Sequence, residues 1–565
     1  MPSFDTGPGV VVTDARGQRV HRDVLAHTER LARTFNEVAP GVWSFVGNGL
    51  SNQSFIEGPD GIIAIDTGEC IEEMREALTE LRQRTAKPIV AVLYTHFHYV
   101  GGTRAVFDEA GGPVPIYGHE GIPGNLARVT SEVQPAYASG IAHQFGMRMP
   151  TEGPDGVVNV GLGLFFRNPG HAPFTPGYID PTEPLRGGES LRIAGLTVEV
   201  THAPSDADDS VTFWFPDLGV AVNNLVWPTL FNIFAIRGEA YRDPQILLRG
   251  IDHLIGLSPA HLLGAHGAPL TGRDEIRARV TRYRDSIQFL WDQTVRGMNR
   301  GLTSDQMAAS IRLPKVFETD SLTREFYGVA EHHVRQIAMG VRGWFDGDPA
   351  KLFPLAPAER AARLVRGLGG AESVRNQVAE ARGAEDLRWG LELAAWLVAR
   401  PDAEAQDREL LAAVLRDIAQ RTTAANIRNW CLTRARDLDG STDLSRMREH
   451  RLRAGSLAAM RPAEALSLLR VMLDPARAEG LDHHLAFRFA EGETVGLHLR
   501  NGISAVTDGL SATATITLAY ADLVRVLAGP ETLGSLLATG AATIAGDAAA
   551  ARAGLACFDV AGFAA

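Results

Sequence analysis

The chain has 565 residues, too many for a single core, so roughly two to four domains are expected. Hydrophobic residues make up 45 % and charged residues 22 %, the balance of a globular chain rather than a disordered one. A formal net charge of −12 argues against a general role on nucleic acid and leaves room only for a local basic pocket.

Cys70, Cys431 and Cys557 are far apart, so neither a disulfide framework nor a zinc knuckle is indicated. Met1-Pro2-Ser3-Phe4-Asp5 contains no basic stretch leading into an apolar core, and no secretory signal is read there. No apolar run reaches the length of a membrane span. The expected compartment is the cytoplasm.

Up to about residue 275, short β-rich runs alternate with helix-like stretches. Gly61 to Asp66 and Pro88 to Tyr94 read as strands, and Ile71 to Arg84 as a helix. This alternation predicts an α/β layered domain. From about 275 to 435 the pattern turns helical: Val280, Tyr283, Ile287, Leu290, Thr294 and Met298 form one stripe at spacings of three and four. Asp386 to Val398 and Arg408 to Ile418 read the same way. From about 440 helices are expected over Met447 to Ala459 and Pro462 to Leu473. Strands follow at Leu485 to Phe489, Thr494 to Leu499 and Ala512 to Leu518. Asn501-Gly502 marks a hairpin, and Asp547 is placed to cap a closing helix.

The segment richest in chemistry is Leu93-Tyr94-Thr95-His96-Phe97-His98-Tyr99-Val100-Gly101-Gly102. An apolar strand ends in His-x-His, and on an extended chain alternate side chains share a face, so His96 and His98 are expected to converge. Two imidazoles suit a borderline metal such as zinc. Downstream, Val198 to His202 runs into an acid-rich turn carrying Asp206, Asp208 and Asp209. A lone Arg237 follows Phe231-Asn232, and such an arginine either pairs with an acid or holds an anion. His266 ends another apolar run, at Leu262-Leu263-Gly264-Ala265. His119, His143 and His171 receive structural or solvent-facing readings.

In this order the pieces resemble the alkyl sulfatase family of metallo-β-lactamase-fold hydrolases, over nearly the whole chain. Tyr283 to Thr303, Phe326-Tyr327-Gly328, Gly343 to Pro349 and Asn426 to Trp430 look like the family's dimerisation domain. Leu497 to Gly502 and Ala545-Gly546-Asp547 are similar to its sterol-carrier-like domain. The resemblance implies an αββα metallo-β-lactamase sandwich (1–275), an all-α dimerisation domain (276–438) and a small α+β sterol-carrier-like domain (439–565). It implies metal ligation by His96, His98 and Asp206, with His266 as a further ligand or a proton carrier. Asn232 and Arg237 match sulfate-contacting positions, with Tyr327 as a third. Phe145 stands where the family has a tyrosine.

The family's His-x-His-x-Asp-His is broken here. Tyr99-Val100 and the glycines follow His98 directly, as if two residues were missing and the Asp-His pair with them. Asn224 stands near the place of a bridging glutamate. The expectation is therefore a homodimeric hydrolase with one zinc per chain, iron being the alternative. Its metal-bound hydroxide would cleave a sulfate ester or related anionic ester, with long chains among the expected substrates. Two other readings stay open: an iron-dependent or non-hydrolytic enzyme on the same fold, and an inactive dimeric protein that binds apolar ligands. It is also open whether His202, Asp208 or Asp209 rebuilds a second metal site.

Overall fold

Gly61–Ile65 and Ile89–Leu93 are rich in β-branched residues and buried almost throughout, as strands covered on both faces must be. In the computed structural model, which describes residues 3–448 and 452–563, they lie side by side in parallel, Ile65 opposite Leu93. They belong to a seven-stranded sheet in sequential order: β1 (Thr34–Ala39), β2 (Val42–Val46), β3 (Gln53–Gly58), β4 (Gly61–Ile65), β5 (Ile89–Leu93), β6 (Ile116–His119) and β7 (Glu183–Leu185). A second sheet follows, also in sequential order: β8 (Ser190–Ile193), β9 (Leu196–His202), β10 (Val211–Phe215), β11 (Val220–Asn223), β12 (His261–Gly264) and β13 (Leu270–Thr271).

The sheets share one core. Ile63, Ile65, Ala91 and Leu93 from the first pack with Val198, Val200, Phe213, Val222 and Leu263 from the second, all buried. Each large apolar side chain removed from water there contributes about 1.5–3 kcal/mol. Helix α1 (Ile71–Arg82) covers an outer face. Ile71, Met74, Ala77, Leu78 and Leu81 form its buried stripe, with acids in its first turn and Arg82 in its last, matching the helix dipole. Helix α2 (Thr103–Ala110) packs beside it, while α3 (Pro244–Leu257) packs with α4 (Arg273–Asn299). In α4 the expected stripe is buried from Val280 to Thr294, and Met298 is half-buried.

Further helices follow from Ala330–Arg342 to Ala425–Leu438. The first turn of the last one meets the preceding segment: the Ala425 N–H donates to the Phe326 carbonyl at 3.0 Å and the Asn426 N–H to the Tyr327 carbonyl at 3.3 Å. The chain divides into two compact units, residues up to 126 with 140–443, and residues 127–139 with 444 onward.

In the second unit, β14 (Asp482–Phe489), β15 (Thr494–Arg500), β16 (Ile503–Thr507), β17 (Ala514–Leu518) and β18 (Thr543–Gly546) form a sheet in the order β16-β15-β14-β17-β18. Asn501 and Gly502 take the positive φ angles, 52° and 73°, of the expected hairpin turn. The Asp547 carboxylate caps the closing helix at the Ala550 N–H, 2.9 Å away. The long helix expected over Met447 to Ala459 is instead the short pieces Ser445–Arg448 and Ala454–Ala458, and its residues 449–451 lie outside the described residues. Pro462–Ser467 is helical and tightens into a 3-10 turn over Leu468–Met472. Among the described residues no helix is long and apolar enough to cross a membrane.

Candidate metal centre

Four strand ends and a hairpin build the site. The β4–β5 pair ends at Asp66 and Thr95, and the Thr95 carbonyl accepts from the Val211 N–H of the second sheet at 2.9 Å. The β9–β10 hairpin carries Asp206. Strands β11 and β12 pair in parallel, Asn223 opposite Gly264, so Asn224 and His266 leave the sheet at the same end.

His96 and His98 do converge, their ring centroids 5.0 Å apart, but not by strand alternation. The strand ends at Leu93, His96 is extended, and Phe97–Tyr99 is a 3-10 turn. The turn, rather than an extended chain, brings the second ring round. His96 Nε2 lies 3.8 Å from Asp206 Oδ1, and His98 Nδ1 lies 3.2 Å from Asp206 Oδ2. One ligand atom from each of the three falls within 4.8 Å of the others.

These residues fit a metal. His96 Nε2 and His98 Nδ1 are buried nitrogens with no well-directed hydrogen-bond partner among the described residues, and both face the carboxylate. The neighbouring bonds set the His96 tautomer. The Thr95 N–H and hydroxyl donate to the Asp66 carboxylate at 2.8 and 2.7 Å. With its proton so used, the Thr95 hydroxyl accepts from His96 Nδ1–H at 2.9 Å. Nε2 is then left with a lone pair, the form a metal takes. Burial pushes the Asp66 carboxyl up to about 7, against the two Thr95 bonds that favour its charge. Burial pushes His96 down to about 3, so its ring is neutral. Burial opposes charge on Asp206 too, but His98, 3.2 Å from it, and Arg242 hold it well below the usual carboxylate range.

Asn224 steadies the acid. Its Nδ2 donates to Asp206 Oδ1 at 2.6 Å, and its Oδ1 accepts from the Trp227 indole at 3.2 Å. His266 stands outside the trio: Nδ1 donates to the Leu50 carbonyl at 3.0 Å, and Nε2 meets the Tyr99 hydroxyl at 3.2 Å.

On the other side of His98 lies a charged lining. Arg237 Nη2 is 3.4 Å from His98 Nε2 and 2.8 Å from Glu239 Oε1, and Glu239 lies 3.7 Å from His98 Nε2. Burial acts against the Glu239 charge, yet Arg237 and His98 hold its pKa down to about 2. Arg242, itself buried, donates to the Asn232 carbonyl at 2.7 Å and lies over the Trp227 ring. The Asn232 amide is buried with neither side-chain atom hydrogen-bonded among the described residues. The Tyr327 hydroxyl accepts from Gln144 Nε2 at 2.7 Å, and Gln144 Oε1 takes the Arg237 N–H at 3.3 Å. Phe145 stacks on Phe166 at 4.4 Å and offers no donor there.

Thr95, Tyr99, Glu239, Arg242 and Gln144 carry no motif of their own. The visible signal for Arg242 was its place five residues after Arg237 in one irregular segment. His202, Asp208 and Asp209 do not join the trio. His202 stacks on His119 at 4.6 Å and bonds the Asp208 carbonyl, while Asn125 donates to both carboxylates. His143 stacks on Trp430.

A second possible ligand group, Cys70, Glu73 and His171, is committed elsewhere. Glu73 accepts from Gln53 and from the Glu69 N–H, His171 Nε2 lies 2.8 Å from Glu76, and burial pushes the Cys70 thiol up to about 12. A cavity of about 360 Å³ touches Trp227 and His266 but is not lined by the trio, so it does not mark the metal position.

Residues 46–222 match the metallo-beta-lactamase superfamily, residues 303–441 the alkyl sulfatase dimerisation family and residues 452–563 the alkyl sulfatase C-terminal family. A linear primary-alkylsulfatase of a Pseudomonas species is 32 % identical over 524 residues, 89 % of this chain and 98 % of that protein. The chain belongs to the alkylsulfatase family. An (R)-specific secondary-alkylsulfatase of Pseudomonas is 28 % identical, over 90 % of this chain and 78 % of its own. The solved structure of the stereoselective inverting sec-alkylsulfatase Pisa1 from Pseudomonas superposes with a TM-score of 0.81 at 25 % identity, covering 99 % of this chain and 92 % of that one. The αββα sandwich, the helical part and the α+β C-terminal part are thus those of an alkylsulfatase, and membership of this superfamily implies metal ions, commonly zinc.

Proposed function

We propose that this chain is a metal-dependent hydrolase that cleaves an alkyl sulfate ester with one divalent ion, zinc before iron, held by His96, His98 and Asp206. The observation that carries the reading is the pair of buried imidazole nitrogens converging on one carboxylate, beside a half-buried arginine. A divalent ion bound there would supply Lewis acidity and make a water acidic enough to act near neutral pH.

The chain's own residues do the rest. Arg237 presents a planar fork to a tetrahedral anion, and Asn232 offers an unused amide from the same segment. Arg242 adds a buried positive charge, and Gln144 ties Tyr327 to the Arg237 backbone. Glu239 orients His98 and holds Arg237 until an anion takes its place. His266 is fixed through both nitrogens beside the centre, and its role is that of a proton carrier reached through the Tyr99 hydroxyl. The match over residues 303–441 supports a homodimer.

The test is sulfate release from primary and secondary alkyl sulfates by protein purified without chelator, with metal per chain measured on the same sample. Metal and turnover should both disappear in His96→Ala and Asp206→Ala. Turnover that survives His96→Ala refutes the proposal. Oxygen uptake with bound iron would point instead to redox chemistry on the same triad.

A further inference from the structure

We infer that Tyr99 is what fixes this centre at a single ion: its hydroxyl takes the only lone pair His266 has to offer, and its ring fills the space beside it. The inference rests on the one-ion reading above and names the residue that enforces it.

Because His266 Nδ1 donates to the Leu50 carbonyl, the free lone pair is on Nε2, and it points at the Tyr99 hydroxyl 3.2 Å away. A zinc-type ion binds an imidazole at about 2.0–2.1 Å along that same direction. The ion and the hydroxyl therefore exclude each other.

Tyr99 has little freedom to leave. It is 4 % exposed, with its ring edge-on to His96 at 5.0 Å and to His266 at 5.2 Å. Its carbonyl accepts from the Thr67 N–H at 2.8 Å. The turn after it is closed by Gly101 and Gly102, where a Cβ would stand 2.3 Å from the Glu69 carbonyl oxygen and 2.1 Å from that of Thr67. A turn this tight allows Tyr99 no shift along the chain.

Charge acts in the same direction. Glu239 is paired with Arg237 at 2.8 Å, and Arg242 lies buried in the same segment, so the lining already carries positive charge opposite its acids. One divalent ion suits a site that then receives an anion. A second would need further carboxylates, and Tyr99 and Asn224, which bond His266 Nε2 and Asp206 Oδ1, are neutral.

The test uses the full chain loaded with zinc, and separately with cobalt(II), counting metal per chain after gel filtration. Wild type and Tyr99→Phe, which keeps the ring, should hold one ion. Tyr99→Asp/Asn224→Asp, which supplies carboxylates beside His266, should hold two, with cobalt absorption near twice that of wild type. Tyr99→Asp alone is measured in parallel, and melting with and without metal shows that each variant is folded. One ion in wild type and still one in the folded Asp variants would overturn the role of Tyr99 and leave the one-ion hydrolase standing. Two ions in wild type would overturn both. Wild type that holds one ion but does not release sulfate defeats only the proposed reaction, because the ion count reads Tyr99 independently.

Discussion

Replacing Thr95 by Val removes one oxygen and keeps the side-chain shape, and its consequence can be worked from the hydrogen bonds. The hydroxyl donates to Asp66 at 2.7 Å and accepts from His96 Nδ1 at 2.9 Å, and the residue is fully buried. In the variant His96 Nδ1–H loses its acceptor and the imidazole is free to turn or change tautomer. Losing a partner of this kind weakens metal affinity by about 10- to 100-fold, or ~1.4–2.7 kcal/mol. The stranded N–H adds a folding cost of about 1–3 kcal/mol that appears without metal as well. A chelator competition titration for zinc reads the first effect, and denaturant unfolding of the metal-free protein reads the second. Thr95→Ser, which keeps the hydroxyl, should restore affinity to within about threefold of wild type. If Thr95→Val binds zinc as tightly as wild type, the Asp66–Thr95–His96 chain does not orient the ligand and the tautomer argument fails.

Gly328→Ala would place a Cβ 2.2 Å from Asn232 Oδ1 and 2.8 Å from the His333 ring, so Asn232 must move. KM for an alkyl sulfate should rise on the order of tenfold with metal content unchanged, the cost of one bond to a charged group; an unchanged KM would remove Asn232 from the anion pocket. Burial opposes charge on Glu331, but the Arg388 fork, at 2.6 and 3.1 Å, and Ser3 hold its pKa down to about 2 against an ordinary 4.5. The stability this gives is full above about 4.5 and is lost as pH falls towards about 2, so the gap in Tm between wild type and Glu331→Gln should close over that window. A gap that persists at the acid end would show the loss to be one of packing. Light scattering on the purified protein should give twice the 60.9 kDa chain mass, and a monomer would leave the dimerisation match without its expected consequence.

Local features were legible in the sequence wherever a few neighbouring residues decide them. Asn501-Gly502 makes its turn because both residues accept positive φ, and Asp547 caps because a carboxylate reaches the Ala550 N–H three residues on. The stripe from Val280 to Thr294 follows from one helical period. The metal trio was half legible. His-x-His can be read as a ligand pair from its position after an apolar strand, but alternation gave the wrong cause for the convergence, because the chain leaves the extended state at Phe97. The rest depends on which strand ends meet. Nothing near residue 99 says that residue 266 will lie across from it, and nothing near 206 says that Asn224 will hold its carboxylate. The sheet order decides both.

The short turn after His98 shows how far a motif comparison reaches. As sequence, Tyr99-Val100 reads as a loss, two residues and two ligands gone, with His266 left as a further ligand or a proton carrier. In the folded chain the gap is filled, and the residue at the break touches both His96 and His266. A buried imidazole nitrogen that had lost a metal and gained nothing would cost about 1–3 kcal/mol as an unsatisfied polar atom. His266 does not bear that cost, since Tyr99 donates to it. His96 Nε2 and His98 Nδ1 instead face the Asp206 carboxylate, at 3.8 and 3.2 Å. Within this cluster the two nitrogens that face the Asp206 carboxylate are placed to receive an ion, and the one that meets the Tyr99 hydroxyl is not. That contrast within a single cluster is the one expected of a remodelled metal centre rather than a decayed one.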